Sequence, residues 1–103
     1  MRKSIYQATI STIQEKGEFI VGFKIGKNKK IWKFSKKNSG NGIKMYLAFL
    51  DFMGAKESAE LINKNIRCFI KTGRVMAVGL IEEDKFFIRD CIDGVIVKEE
   101  NLY

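Results

Sequence analysis

The sequence predicts a small α+β protein: a mostly antiparallel β-sheet, or an OB-like barrel, with a helical insertion between the third and fourth strands. Three observations predict it. Phe19, Val21, Phe23 and Ile25 recur at period two, as a half-buried strand requires. Ile43 to Met53 is apolar on almost all sides without alternation, and Met, Leu and Ala are helix formers. Strand periodicity then returns after Asn65, punctuated by the turn residues Thr72-Gly73 and Asp93-Gly94. At 103 residues the chain is expected to form one domain, with a basic β-rich part (1–37), a helical part (43–63) and a second β-rich part (66–98).

The elements follow in order. Tyr6, Ala8 and Ile10 alternate with Gln7, Thr9 and Ser11, a first strand. Glu15-Lys16-Gly17 turns into the second strand, Phe19 to Ile25. Gly26 to Lys29 turns again, Ile31 to Phe34 is the third strand, and Lys36 to Gly42 is a polar loop. The apolar helix ends at Gly54, a natural C-terminal cap. A second short helix over Lys56 to Ile62 would bury Ala59, Leu61 and Ile62. Ile66, Cys68 and Ile70 alternate with Arg67, Phe69 and Lys71. Val75 to Ile81 is apolar on both faces, as in a central strand, and Glu82-Glu83-Asp84-Lys85 is an acidic turn into Phe86 to Ile88. Asp93-Gly94 joins Arg89–Ile92 to Val95–Lys98, and the tail Glu99 to Tyr103 shows no packing pattern. Five strands with a helix between the third and fourth is the OB arrangement. An open antiparallel sheet carrying one helical layer gives the same string.

Charge is the main functional signal. Residues 1–37 hold ten Lys and Arg against two acids, whereas residues 38–103 hold nine against ten, so the net +7 is concentrated in the first third. Such concentration costs self-repulsion and points to a polyanionic partner. Its densest run, Lys27 to Lys37, reads KNKKIWKFSKK. If Trp32 and Phe34 face outward, they are stacking platforms flanked by Lys27, Lys29, Lys30, Lys33, Lys36 and Lys37. If they face inward, they are core and the lysines alone remain on the surface. Arg67, Lys71 and Arg74, with Phe69 on the same strand, form a smaller basic group that could line the same groove or simply protect an edge.

Enzyme readings are weak. The chain has no histidine, which removes the usual general base and the commonest metal ligand, and no catalytic residue, metal or cofactor is assigned. Serines 4, 11, 35, 39 and 58 have no recognisable base beside them in sequence. Gly40-Asn41-Gly42 before the helix reads better as a plain loop than as a phosphate cradle, and Glu82, Glu83 and Asp84 read better as a solvated turn than as a cation site. Cys68 and Cys91, each in an apolar stretch, read as buried reduced thiols. No apolar run approaches the ~20 residues of a membrane span, and the basic N-terminus lacks an apolar secretion segment, so a cytoplasmic protein is expected.

From Asn41 to Phe87 the chain resembles a group of small phage- and prophage-encoded proteins, through LDFMGAKESAELINKNIRCFI and GRVMAVGLIEEDKFF. The matching positions are Gly54, Leu61, Arg67, Gly73, Val78, Gly79, Ile81, Asp84, Lys85 and Phe86. The resemblance covers about half the chain and implies a phage context. It departs in the first half, where members carry a glycine-rich stretch in place of KNKKIWKFSKK. The architecture is also loosely similar to that of phage single-stranded-DNA-binding proteins. Three functional expectations result. The first is a non-enzymatic module binding nucleic acid, above all single-stranded DNA. The second is a phage anti-defence protein, inhibiting a host nuclease such as a CRISPR effector or sequestering a nucleotide signal. The third is a homo-oligomer assembled through Ile43–Met53.

Overall fold

The computed structural model describes residues 4–16, 19–34, 41–88 and 95–102. In chain order these form β1 (Ile5–Gln14), β2 (Phe19–Ile25), β3 (Asn28–Phe34), α1 (Asn41–Met53), a 3₁₀ turn (Ser58–Leu61), β4 (Asn65–Lys71), β5 (Arg74–Gly79), β6 (Phe86–Ile88), β7 (Val95–Val97) and a second 3₁₀ turn (Glu99–Asn101). The strands make one antiparallel sheet in the order β3-β2-β1-β4-β5-β6-β7. Among the described residues the fold is therefore α+β, a mostly antiparallel sheet with one α-helix.

β1 is long because it serves two neighbours in succession. Ile5 to Thr9 pair with β4, while Thr9 to Gln14 pair with β2. The register against β2 shifts between Ile10 and Thr12, and Ser11 Oγ at this bulge donates to the Gly22 carbonyl at 3.3 Å. A bulge bends the strand and increases local twist. The sheet thereby curls around α1.

The helix is less uniformly buried than its composition suggests. Met45, Tyr46, Phe49, Leu50 and Met53 are buried, at helical spacing, while Lys44, Leu47 and Asp51 are exposed. Among the described side chains, the helix's apolar character is thus spent mainly on the core, with Leu47 left exposed. Gly54 ends α1 at φ 71°, with the Ala55 N–H reaching back to the Leu50 carbonyl at 3.0 Å. Beyond it, the expected second helix is only the 3₁₀ turn Ser58–Leu61. So short a turn offers one inward position, and Leu61 takes it while Ala59 and Ile62 are exposed. Glu15 fastens this region to the end of β1: its two carboxylate oxygens accept from Tyr46 Oη at 3.1 Å and Ser58 Oγ at 3.0 Å.

A second, smaller core lies on the outer face of β4, β5 and β6, where Phe69, Ala77 and Phe86 pack with Ile5, Val97 and Leu102. This corrects the reading of the C-terminal tail. Leu102 covers apolar surface, the Glu99 N–H donates to Asp84 Oδ1 at 2.8 Å, and Glu99 pairs with Arg67. The ring of Phe86 lies directly on Gly79, where a Cβ would approach it to 2.4 Å. Only glycine permits that approach. β5 stops at Gly79, so Val75 to Ile81 is not one central strand, and Ile81 is exposed. Cys68 is a buried free thiol, and burial pushes its pKa from 9.0 up to about 12. Cys91 and the Asp93-Gly94 turn lie outside the described residues. Among the described residues, no helix is long and apolar enough to cross a membrane.

Candidate functional site

The site begins with a turn. Gly26-Lys27 is a two-residue hairpin loop, so Ile25 faces Asn28 and the register follows: Lys24 opposite Lys29, Phe23 opposite Lys30, Gly22 opposite Ile31, Val21 opposite Trp32. Side chains alternate across a strand. Trp32 and Phe34 therefore share the inner face with Val21 and Phe23, while Lys29, Ile31 and Lys33 share the outer face with Lys24.

The consequence is a correction. Trp32 and Phe34 are each 2% exposed and cannot stack on a base. Their partners are protein rings: Trp32 meets Phe23 edge-on at 5.6 Å and Phe49 at 5.8 Å, and Phe34 meets Tyr46 at 5.7 Å. Phe69, 5% exposed, belongs to the second core and is likewise unavailable.

Trp32 also joins two strands that share no backbone ladder. Its Nε1 donates to the Val75 carbonyl at 2.7 Å, and Lys30 Nζ donates to the Gly73 carbonyl at 2.7 Å. The two struts are two residues apart on each strand and run in the same sense. Further along β5, Ala77 to Gly79 pair with β6. The edge of β5 is thus divided, its start tied to β3 by side chains and its end by a true ladder. Such a seam leaves space. A cleft of about 720 Å³ lies along it, lined by Lys29, Lys30, Ile31, Lys33, Arg74 and Met76, among others. Ile31 and Met76 are exposed and give it apolar surface. At one end is the Thr72-Gly73 turn, with Thr72 at φ 52° and Gly73 at φ 77°. A two-residue hairpin turn between Lys71 and Arg74 calls for positive φ at both positions, and a β-branched residue is strained there.

The basic residues now divide by availability. Lys24, Lys27 and Lys29 are exposed and, among the described residues, make no ion pair or side-chain hydrogen bond. Lys24 and Lys29 are directly opposite, a like-charge pair that costs stability. Lys33, Lys71 and Arg74 are exposed, and Lys30 is half-buried at the seam. Lys36 and Lys37 lie outside the described residues. Arg67 is a different case. Its Nε donates to the Leu80 carbonyl at 2.8 Å, Nη2 to the Glu83 carbonyl at 2.9 Å, and Nη1 reaches Glu99 Oε1 at 3.4 Å. Its guanidinium also lies 4.6 Å from the Phe86 ring centroid. The side chain is committed to pinning the 80–84 loop and the tail, and it leaves the list of candidate ligand contacts.

The residues missed in the sequence are Lys24, Ile31 and Met76. Lys24 was accessible to reasoning, because a two-residue turn at Gly26-Lys27 dictates its pairing with Lys29. Met76 joins the cleft only through the fold. The remaining motifs show no chemistry. Glu82, Glu83 and Asp84 are exposed; Glu83 pairs with Lys85 at 3.5 Å and Asp84 caps Glu99. Among the described residues no group of three or more potential metal ligands comes together. Gly40 lies outside them. Comparison of the chain with family models, with curated proteins and with solved structures finds no match.

Proposed function

We propose that this protein is a non-enzymatic module that binds single-stranded nucleic acid, DNA in the first instance, along the cleft between β3 and β5. The observation that carries the reading is the cleft itself, where Lys29, Lys30, Lys33 and Arg74 surround exposed Ile31 and Met76. A concave surface with one sign of charge concentrates polyanions. The strand arrangement supports the same reading. The pairing of β1 to both β2 and β4, and the side-chain ties from Lys30 and Trp32 of β3 to the start of β5, support reading strands β1 to β5 as a partly open OB-like barrel. In that architecture the face of the second and third strands and the loop between the fourth and fifth hold oligonucleotides. Those elements carry Lys24, Lys29, Lys33 and Arg74 here.

The mode of binding differs from the one the sequence suggested. With the aromatic rings buried, contact is made by cations to phosphates and by Ile31 and Met76 to bases, so affinity depends strongly on salt. Four phosphate contacts to a single strand give a slope of roughly −3 in log K against log salt, or about a fifty-fold loss between about 50 and 200 mM. The test is fluorescence anisotropy of labelled oligo-dT titrated with the protein across this range. Binding with that slope, flattened in Lys29→Ala and Lys33→Ala, supports the proposal. Absence of binding at low salt, or a slope indifferent to both substitutions, sinks it.

A further inference from the structure

A second cavity of about 490 Å³ lies across the sheet from the seam, lined by Gln7, Thr9, Lys24, Gly26, Asn65 and Ile81, among others. The register aligns it with the cationic cleft. Lys29 faces Lys24, Lys24 faces Thr9, and Thr9 faces Asn65, one continuous row across β3, β2, β1 and β4. Three interstrand spacings make this row ~14 Å long. Its character changes along its length, from two ammonium groups at the β3 end to a hydroxyl and an amide at the β4 end. Gln7 is the next outward residue of β1 and adds a second amide beside the first.

Both amides are available to a ligand. Thr9 Oγ1 donates to Asn65 Oδ1 at 3.4 Å, a long bond that nonetheless turns the oxygen toward Thr9 and leaves both amide N–H donors for another partner. Gln7 is exposed and, among the described residues, its side chain has no hydrogen bond. Ile81, 46% exposed, supplies an apolar wall. An amide that can donate and accept at once, beside an apolar surface, suits the edge and face of a splayed-out base. Of the bases, adenine presents a donor and an acceptor side by side at N6 and N7, the pattern that Asn and Gln match in a bidentate manner.

We propose that this cavity is a base-reading subsite with a preference for adenine, in which Gln7 and Asn65 determine specificity while Lys24 and Lys29 hold the adjoining phosphates. The proposal rests on the nucleic-acid reading above. It is tested by measuring the affinities of labelled dA12 and dT12 for the wild type, Gln7→Ala, Asn65→Ala and, as control, Lys29→Ala. The readout is the ratio of the two affinities, compared between proteins so that the intrinsic stacking of the oligonucleotides cancels. Gln7 and Asn65 are exposed, and circular dichroism verifies that each variant is folded. The expected result is a ratio that falls about fivefold or more in Gln7→Ala or Asn65→Ala with dT12 affinity nearly unchanged, against an unchanged ratio in Lys29→Ala with both affinities reduced. Salt-sensitive binding whose ratio is the same in all four proteins overturns base reading and leaves the binding function standing. No binding of either oligonucleotide overturns both.

Discussion

Lys29 on β3 and Arg67 on β4 are both basic residues on outward-facing positions of the same sheet, and they have opposite fates. Arg67 finds two loop carbonyls, a carboxylate and an aromatic ring within reach, and becomes part of the scaffold. Among the described residues, Lys29 finds another lysine across the ladder and no acceptor for its side chain. The difference lies in what each half of the sheet places next to the cation. Around β4 to β6 the outer face is covered by the 80–84 loop and the tail, which bring backbone acceptors. Around β2 and β3 nothing described covers that face. Among the described residues, Lys24, Lys27 and Lys29 are therefore left without an internal partner, whereas Arg67 is consumed by the fold.

The largest effect expected from breaking this contrast is at Trp32. Trp32→Ala removes a fully buried ring and the strut to Val75, and should cost about 3–5 kcal/mol in a denaturant titration. Any loss of ligand binding should then track the unfolded fraction. Tryptophan emission of the native protein should be blue-shifted and barely change on adding oligonucleotide; strong quenching would return Trp32 to the binding surface.

A double comparison sharpens the point about cations. Arg67→Ala should lower stability by about 2–3 kcal/mol, since hydrogen bonds to a charged group are the strong class and its carbonyl partners lose their donor. The affinity of the folded fraction should be nearly unchanged. Lys29→Ala should do the reverse, with stability held or slightly raised and oligonucleotide affinity reduced. Equal effects of the two substitutions on binding would erase the division drawn here.

The inner face supplies a pH prediction. Burial raises the Cys68 thiol from 9.0 to about 12, and burial is also the main reason Tyr46 rises from 10.0 to about 12, with the neighbouring Glu15 carboxylate adding to it. Groups whose folded pKa lies above the unfolded value keep the folded state's advantage intact below the unfolded pKa. They lose it as pH rises toward the folded pKa, because the unfolded chain ionises first. Thermal midpoints should therefore fall as pH climbs from 9 toward 12. In Cys68→Ala the decline should begin about one unit later, where tyrosine takes over. A profile identical in both proteins would show that the thiol is not the cause.

The smallest effect is expected at the like-charge pair. Lys24→Glu converts repulsion with Lys29 into attraction and should stabilise the fold by about 0.2–1 kcal/mol while weakening oligonucleotide binding. A gain in both quantities would remove Lys24 from the binding track.

Much of the fold was legible because the signals are local. Phe19 to Ile25 alternates cleanly, α1 is followed at once by Gly54, and the Thr72-Gly73 turn separates two recognisable strands. The orientation of β3 was more nearly legible than it looks. A two-residue turn at Gly26-Lys27 places Trp32 opposite Val21, inside the apolar face of β2, so the buried side follows from the register. What was not legible depends on residues far apart in the chain. Nothing local to Arg67 announces that Leu80, Glu83 and Glu99 converge on it, and nothing local to the tail announces Leu102 as core.

By itself, the sequence determined the centres of β1 to β5, the turns that begin at Gly26 and Thr72, and that net positive charge belongs to the first third of the chain. These are matters of periodicity, turn chemistry and composition, each settled within a few residues. Only the tertiary structure decided that β3 and β5 meet through Lys30 and Trp32 rather than through a ladder, which opens the cleft, and which cations remain for a partner. A side chain's availability depends on the acceptors that distant segments bring beside it, and no local pattern encodes that.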